Sequence, residues 1–193
     1  IWKGLVGSEM CIRDSIYEAT NAFKIGEFLL RNDDNPNKIK IKYLTKDEID
    51  QDILHDSSGR VYLLVSNDKI MKIGGSMSKG GIKSTMHFYV SAMQGGPSQS
   101  RWCTHLLIEK ELRDENKVEC WMIKNEKVEA KIAGLKTKVA IQVAAFKESE
   151  DLCKEEYKKI NKKFPPWNFQ ENNEEYPEVM TALHREHMAQ RAK

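Results

Sequence analysis

The chain has 193 residues, 40% of them apolar and 31% charged, and its 31 Lys and Arg against 29 Asp and Glu give a formal charge of +2. This length is enough for one domain with a buried core. The apolar runs are far shorter than the roughly 20 residues of a membrane span, and the four cysteines contain no CxxC pair. These features weigh against a membrane protein, a zinc knuckle and a disulfide framework, and predict a cytoplasmic protein.

The first fifteen residues differ from the rest of the chain. Residue 1 is Ile, and the string LVGSEMCIRDS at 5–15 resembles, residue for residue, the translation of a transposon-based sequencing adapter. We therefore expect residues 1–15 to be a non-native leader, which takes no part in the fold. Its charges cancel, so the net charge of +2 does not depend on it.

Residues 16–58 are predicted to form an N-terminal arm. A polar turn at 32–37 precedes KIKIKYL at 38–44, which alternates with the period of a half-exposed strand. The acidic segment 47–56 has helical spacing. Two apolar strands follow the arm and are joined by Asn-Asp, a dipeptide typical of a tight hairpin turn.

The order of elements after the arm indicates the fold class. The pattern predicts strands at 60–66 and 69–74, helices at 84–94 and 101–116, a strand at 117–123, a hairpin around Gly134, and helices at 147–164 and 174–193. A hairpin followed by helices predicts a small α+β fold, with a central antiparallel sheet flanked by helices.

Two short motifs lie on the predicted hairpin. The first strand begins with GRVY at 59–62, and the second contains KIG at 72–74, ten residues from Tyr62 to Lys72. This pair resembles the GIY-YIG nuclease superfamily, in which each of two hairpin strands carries a tyrosine. Some restriction enzymes of that family have lysine in place of the second tyrosine, as KIG has here.

The resemblance continues along the chain. Lys83 stands at the position of a helix-borne arginine of the family, and His87 stands one turn later, where several members have histidine. Residues 105–123 are similar to the family's second helix and third strand. Glu150 corresponds to a metal-binding glutamate on the last helix, and Asn168 to an asparagine that closes the motif set.

The resemblance implies both domain limits and chemistry. It covers residues 59–168 and leaves 169–193 as a C-terminal helical tail. It implies hydrolysis of phosphodiester bonds in double-stranded DNA, with Mg²⁺ or Mn²⁺ bound at Glu150 as Lewis acid. Tyr62 is then the general base, and a neighbouring cation favours its phenolate. Lys72 supplies such a charge.

The other matched residues are expected to contact the substrate. Lys83 is expected to hold a phosphate oxygen, and His87 to move a proton or contact phosphate. Ser76, Arg101 and Asn168 are expected to bind substrate, and Arg101 is an alternative to Lys83 because lysine lacks the bidentate fork of arginine.

The charge distribution suits a focused site. Between Arg60 and Arg101 there are six basic residues and one acidic residue, although the whole chain is nearly neutral. Near-neutrality argues against a broad non-specific DNA coat and is compatible with a focused, site-restricted nuclease. The resemblance to the GIY-YIG superfamily implies a restriction or phage homing-like endonuclease in a bacterial or phage-infected cell. Cleavage of two strands would favour a homodimer.

Two alternatives remain open. One is a catalytically silent DNA-binding module on the same fold, which the lysine at position 83 favours. The other is a phage structural or interaction protein with chance motif matches, in which Tyr62 is a core residue and Lys72 is merely solvated. This second alternative predicts that Tyr62, Lys72 and Glu150 do not converge on one cleft.

Overall fold

The structure is a computed structural model that describes residues 15–125 and 127–191. In chain order the elements are a 3₁₀ turn Ile16–Glu18, β1 Phe23–Leu30, β2 Ile39–Tyr43, α1 Asp52–His55, β3 Arg60–Ser66, β4 Lys69–Ser76, α2 Gly81–Val90, α3 Gln99–Arg113, β5 Val118–Lys124, β6 Lys127–Ala133, β7 Lys138–Ala144, α4 Phe146–Asn161 and α5 Glu178–Arg191. The predicted α+β class, with a central antiparallel sheet flanked by helices, is confirmed.

The main sheet has five strands in the order β2-β1-β5-β3-β4, and each neighbouring pair is antiparallel. Strand β3 lies inside the sheet, and all seven of its residues are buried. Burial on both faces explains its uninterrupted apolar run, because neither face needs polar residues. Strand β4 is an edge of the sheet.

The segment 16–58, predicted to be an arm, contributes β1 and β2 to the main sheet. Ile25 on β1 and Ile39 on β2 are completely buried, and Phe28 is 2% exposed. The N-terminal part of this segment also packs on the domain, since the backbone N–H of Ile16 donates to the carbonyl of Asp68 at 2.7 Å. Residues 1–14 of the predicted leader lie outside the described residues.

Two apolar cores cover the two faces of the sheet. On one face, α2 and α3 pack over a cluster that contains Tyr62, Leu64, Met86, Ile108 and Met122. On the other face, α4 packs over a second cluster. This second cluster contains Val61, Leu63, Val65, Ile70, Ile73 and Tyr157. Helix α5 packs on α3, so the chain forms a layer of helices on each side of the sheet.

The predicted hairpin around Gly134 forms a separate ribbon. Strands β6 and β7 pair with each other in a two-stranded antiparallel sheet. The ribbon lies in the chain between β5 and α4. Among the described residues, no helix is long and apolar enough to cross a membrane.

The β3–β4 turn positions the two motif strands. Asn67 and Asp68 have φ of 45° and 66°, as a two-residue hairpin turn of the mirror-image type requires. The Asn67 side chain also joins the turn to the start of β5, because its Oδ1 accepts from the Lys117 N–H at 2.9 Å. Its Nδ2 donates to Asn116 Oδ1 at 2.7 Å.

We expect Asn67→Ala to lower the free energy of unfolding by about 1–2 kcal/mol, because alanine loses both side-chain hydrogen bonds and tolerates positive φ poorly. Urea denaturation measures the change. The exposed Asn21 provides a matched control, and Asn21→Ala should stay within about 0.5 kcal/mol of wild type. Equal losses in the two variants would contradict this role for Asn67.

Candidate active site

A pocket of about 160 Å³ lies at the β4 edge of the main sheet. Its walls come from the hairpin, from α2, from the start of α3, from α4 and from the segment after α4. The lining residues are Tyr62, Lys72, Ile73, Gly74, Gly75, Tyr89, Ser100, Glu150, Trp167, Asn168, Phe169, Gln170, Glu171 and Tyr176. Tyr62 and Lys72 on the hairpin therefore meet Glu150, which lies far along the chain, in one pocket.

Two successive glycines make this meeting sterically feasible. Gly74 pairs with Tyr62 across the hairpin, and a Cβ at Gly74 would overlap the Tyr62 phenol. A Cβ at Gly75 would overlap the carboxylate of Glu150. Successive strand residues point to opposite faces, so the two glycines leave space on both faces of β4. The tyrosine and the glutamate approach the strand through this space.

Tyr62 is deeply buried and paired with a second tyrosine. Its hydroxyl lies 2.6 Å from the Tyr89 hydroxyl, and the two rings meet edge to face. Burial raises the pKa of Tyr62 well above its ordinary value, with smaller contributions from Tyr89 and Glu150. Burial likewise raises the pKa of Tyr89 to about 12. At neutral pH both phenols keep their protons.

Lys72 extends from the edge strand into the pocket. Its ammonium donates to the Trp167 carbonyl at 3.4 Å. Burial lowers the pKa of Lys72, while the charges of Glu171 and Glu150 oppose this shift. The lysine is therefore a partly desolvated cation within the electrostatic range of two carboxylates.

Glu150 belongs to a charged cluster of three residues. Its carboxylate contacts the Lys154 ammonium one helical turn further along α4, at 2.6 Å. The same ammonium contacts Glu171 at 2.6 Å. The Lys154 and Asn168 hydrogen bonds lower the pKa of Glu171 against the opposing effect of burial. Lys154 thus holds two carboxylates side by side at the pocket wall.

Asn168 joins the segment after α4 to the edge strand. Its Oδ1 accepts from the Ile73 N–H at 2.9 Å, and its Nδ2 donates to the Ile73 carbonyl at 3.0 Å. Nδ2 also contacts Glu171 at 3.0 Å, and the Trp167 N–H donates to the Met71 carbonyl at 2.8 Å. The segment satisfies backbone groups that an edge strand would otherwise expose.

Helix α2 directs two of the predicted residues away from the pocket. Lys83 Nζ lies 3.1 Å from His55 Nε2 and 5.4 Å from the centre of the Tyr43 ring. His87 is exposed. Because a helix turns about 100° per residue, the side chain two positions after His87 points in nearly the opposite direction. That side chain is Tyr89, which lines the pocket.

Ser76 and Arg101 also make contacts outside the pocket. The Ser76 hydroxyl lies 2.6 Å from the Thr85 hydroxyl and accepts from the Ser78 N–H at 3.2 Å. The Arg101 guanidinium donates to the Phe88 carbonyl at 3.1 and 3.2 Å and stacks over the Phe88 ring. Both residues support α2, and their predicted roles in substrate binding stay predictions.

The pocket offers oxygen donors to a cation. Across residues 15–125 and 127–191, no group of three or more His, Cys, Asp and Glu side chains is arranged to hold a metal ion. Glu150 and Glu171 are nevertheless adjacent, and they already share a positive charge. One or two carboxylates, completed by waters and substrate phosphate, are the ligands that Mg²⁺ commonly takes. The donor set therefore fits Mg²⁺ or Mn²⁺.

Comparisons with known proteins identify structural relatives. The fold is similar to that of a point mutant of bacteriophage T4 EndoII, with a TM-score of 0.53 and 22% identity over 79% of this chain and 96% of that chain. Restriction endonuclease HPY188I in complex with product DNA matches with a TM-score of 0.45 and 19% identity, over 78% of this chain and 81% of that chain. No protein-family model and no curated protein matches. The likeness to EndoII establishes a shared fold.

Three residues of the site were missed by sequence reasoning: Tyr89 and Glu171 line the pocket, and Lys154 contacts two of its carboxylates. The inward position of Tyr89 could have been predicted, because Ile82, Met86 and Tyr89 form a buried helical stripe that marks the inner face of α2. Lys154 stands four residues after Glu150, which is the spacing of a helical ion pair. Glu171 follows the helix in an irregular segment, and local pattern gave no signal for it.

We expect Gly74→Ala to lower the free energy of unfolding by about 1–3 kcal/mol, because the new methyl group displaces the Tyr62 ring in a packed site. Thermal and urea unfolding measure the loss. Gly96 is the control, since its added Cβ would lie 3.7 Å from the nearest atom. Gly96→Ala should be close to neutral, and a Gly74→Ala variant of wild-type stability would contradict the proposed steric role.

Proposed function

We propose that this protein is a divalent-metal-dependent DNA endonuclease of the GIY-YIG type. The observation that carries the proposal is the convergence of Tyr62, Lys72 and Glu150 on one pocket at the edge of the hairpin. The alternative of chance motif matches in an interaction protein predicts that these residues stay apart. The fold shared with EndoII, a phage protein, also supports the proposal.

Tyr62 is the proposed general base that accepts a proton from the attacking water. Its raised pKa means that the phenol is protonated in the resting site, so it needs added positive charge to form phenolate. Lys72 lines the same pocket and provides part of that charge. Tyr89 fixes the orientation of the Tyr62 hydroxyl through their 2.6 Å contact.

Glu150 is the proposed ligand of Mg²⁺ or Mn²⁺, and Glu171 is placed to assist it. When bound, the metal supplies Lewis acidity at the scissile phosphate. Lys72 neutralises charge on the phosphate, and Lys154 would be displaced from the two carboxylates when the metal binds. Lys83, His87, Ser76 and Arg101 form a second set, outside the pocket, which we propose contacts the DNA further from the bond that is cleaved.

A catalytically silent DNA-binding module is the second candidate, and the Lys154 contacts favour it. In the structure Lys154 already satisfies both carboxylates, at 2.6 Å each. If this ammonium stays in place, both carboxylates are already paired with a cation, and they do not bind a divalent ion. The two candidates differ in whether a metal displaces Lys154.

Incubation of supercoiled plasmid with the purified protein tests the activity. We expect nicking with Mg²⁺ or Mn²⁺ and none with EDTA, and we expect Tyr62→Phe and Glu150→Ala each to reduce the rate by about 10²-fold or more. Glu155→Ala, an exposed carboxylate on the same helix, is the matched control and should nick like wild type.

Each outcome of the plasmid assay separates the candidates. Metal-independent nicking, or full activity in both site variants, would overturn the nuclease mechanism. A wild-type protein that retards plasmid in a gel but nicks it with neither metal would identify the silent DNA-binding module.

Metal binding tests the role of Lys154 without a cleavage assay. We expect Lys154→Met to bind Mn²⁺ roughly tenfold more tightly than wild type, because removal of one nearby positive charge leaves two carboxylates to the ion. Mn²⁺ electron paramagnetic resonance measures the affinity. Lys159→Met removes an exposed charge from the same helix and should change the affinity little. Unchanged affinity in Lys154→Met would exclude competition between Lys154 and the metal.

A further inference from the structure

The C-terminal end of α2 is held by two side chains of α3. The last four carbonyls of a helix have no partner within the helix, and those of Phe88 and Tyr89 belong to this group. Arg101 donates to the Phe88 carbonyl through Nε at 3.2 Å and Nη2 at 3.1 Å. His105, one turn further along α3, contacts the Tyr89 carbonyl with Nδ1 at 2.7 Å. The two contacts fix two successive residues of α2.

His105 is completely buried, and its surroundings determine which ring nitrogen carries the proton. Burial lowers the pKa of His105 against the opposing effect of the Tyr89 hydrogen bond, so at neutral pH the imidazole has a single N–H. Because a carbonyl can only accept, this N–H is on Nδ1. Nε2 is buried and has no hydrogen-bond partner in the part of the chain that the structure describes.

The unpaired nitrogen indicates that stability alone does not explain a histidine at this position. A buried acceptor without a partner costs about 1–3 kcal/mol, and an aliphatic side chain would avoid that cost. The Tyr89 carbonyl also has a second donor, since the Ala92 N–H contacts it at 3.3 Å. The bond from His105 is therefore not needed to satisfy this carbonyl, and its effect is to fix the position of the carbonyl.

We propose that His105 is a positioning residue for the Tyr62–Tyr89 pair of the candidate active site. Two contacts connect them: His105 Nδ1 to the Tyr89 carbonyl at 2.7 Å, and the Tyr89 hydroxyl to the Tyr62 hydroxyl at 2.6 Å. Both tyrosines are buried, so a shift of the Tyr89 backbone is transmitted through packed surroundings to its hydroxyl. His105 is not among the residues that line the pocket, and it acts through Tyr89.

The two nitrogens of His105 can be tested separately. Asparagine places an amide N–H near the position of Nδ1, whereas glutamine places its amide near the position of Nε2. His105→Asn therefore keeps a donor for the Tyr89 carbonyl, and His105→Gln moves the donor away from it. Ile108 is completely buried and lies about one turn after His105 on α3. Ile108→Val weakens packing without removing a hydrogen bond, and is the control for a general loss of stability.

Nuclear magnetic resonance tests the positioning without a cleavage assay. In the wild type, the ¹⁵N shifts of His105 should show the proton on Nδ1. With ¹³C at the tyrosine Cζ atoms, we expect His105→Gln to shift the signals of Tyr62 and Tyr89, and His105→Asn and Ile108→Val to leave them close to wild type. Tyr62→Phe and Tyr89→Phe assign these signals. Unshifted tyrosine signals in His105→Gln would overturn the inference, and a wild-type proton on Nε2 would do so even if no variant folds.

The consequence for cleavage rests on the proposed function, and the plasmid assay tests it. We expect His105→Gln to lower kcat for nicking by about tenfold or more at an unchanged KM, because a misplaced Tyr62 affects the reacting atoms and not substrate binding. His105→Asn and Ile108→Val should stay within about twofold of wild type.

The two proposals fail in different ways. A His105→Gln protein that nicks like wild type, or a His105→Asn protein as slow as His105→Gln, would overturn the positioning role. A wild-type protein that nicks under no condition would instead overturn the proposed function, and the tyrosine signals would still decide whether His105 positions the pair.

Discussion

The absence of side chains at two successive positions of one edge strand is the constraint on which the site depends. Gly74 and Gly75 leave space on both faces of β4, and Tyr62 and Glu150 occupy that space from opposite sides. The tyrosine comes from a central strand beneath α2, and the glutamate comes from α4 on the other face of the sheet. A larger residue at either position would separate groups that are proposed to act on one phosphate.

The charges of the pocket are balanced by the protein itself. Two carboxylates share Lys154, and Lys72 lies nearby with its pKa lowered by burial. Partly buried charges are stable when each has a partner, and the removal of one partner leaves the other unpaired at a high free-energy cost. A bound divalent ion would have to replace Lys154 as the counterion, so the same contact that stabilises the resting site controls access to the carboxylates.

The sequence predicted correctly those elements that are specified by patterns within a short segment of the chain. The hairpin strands and their Asn-Asp turn follow from apolar runs and turn chemistry, and the structure has them at Arg60–Ser66 and Lys69–Ser76. The entry of β1 into the sheet was not predicted, since β1 pairs with β5, which lies far along the chain. On α2, the alignment with the GIY-YIG motifs indicated Lys83 and His87 as site residues. The apolar stripe of that helix instead indicates that the face with Tyr89 is turned inwards.

The sequence by itself determined the fold class, the hairpin and the residue types that could perform phosphodiester chemistry, because periodicity and spacing are properties of short segments. The tertiary structure decided which of those residues meet. Tyr89, Lys154 and Glu171 line or border the pocket because helix rotation and the docking of the segment after α4 on the edge strand bring them there. Such contacts join residues up to 95 positions apart, and no local pattern specifies them.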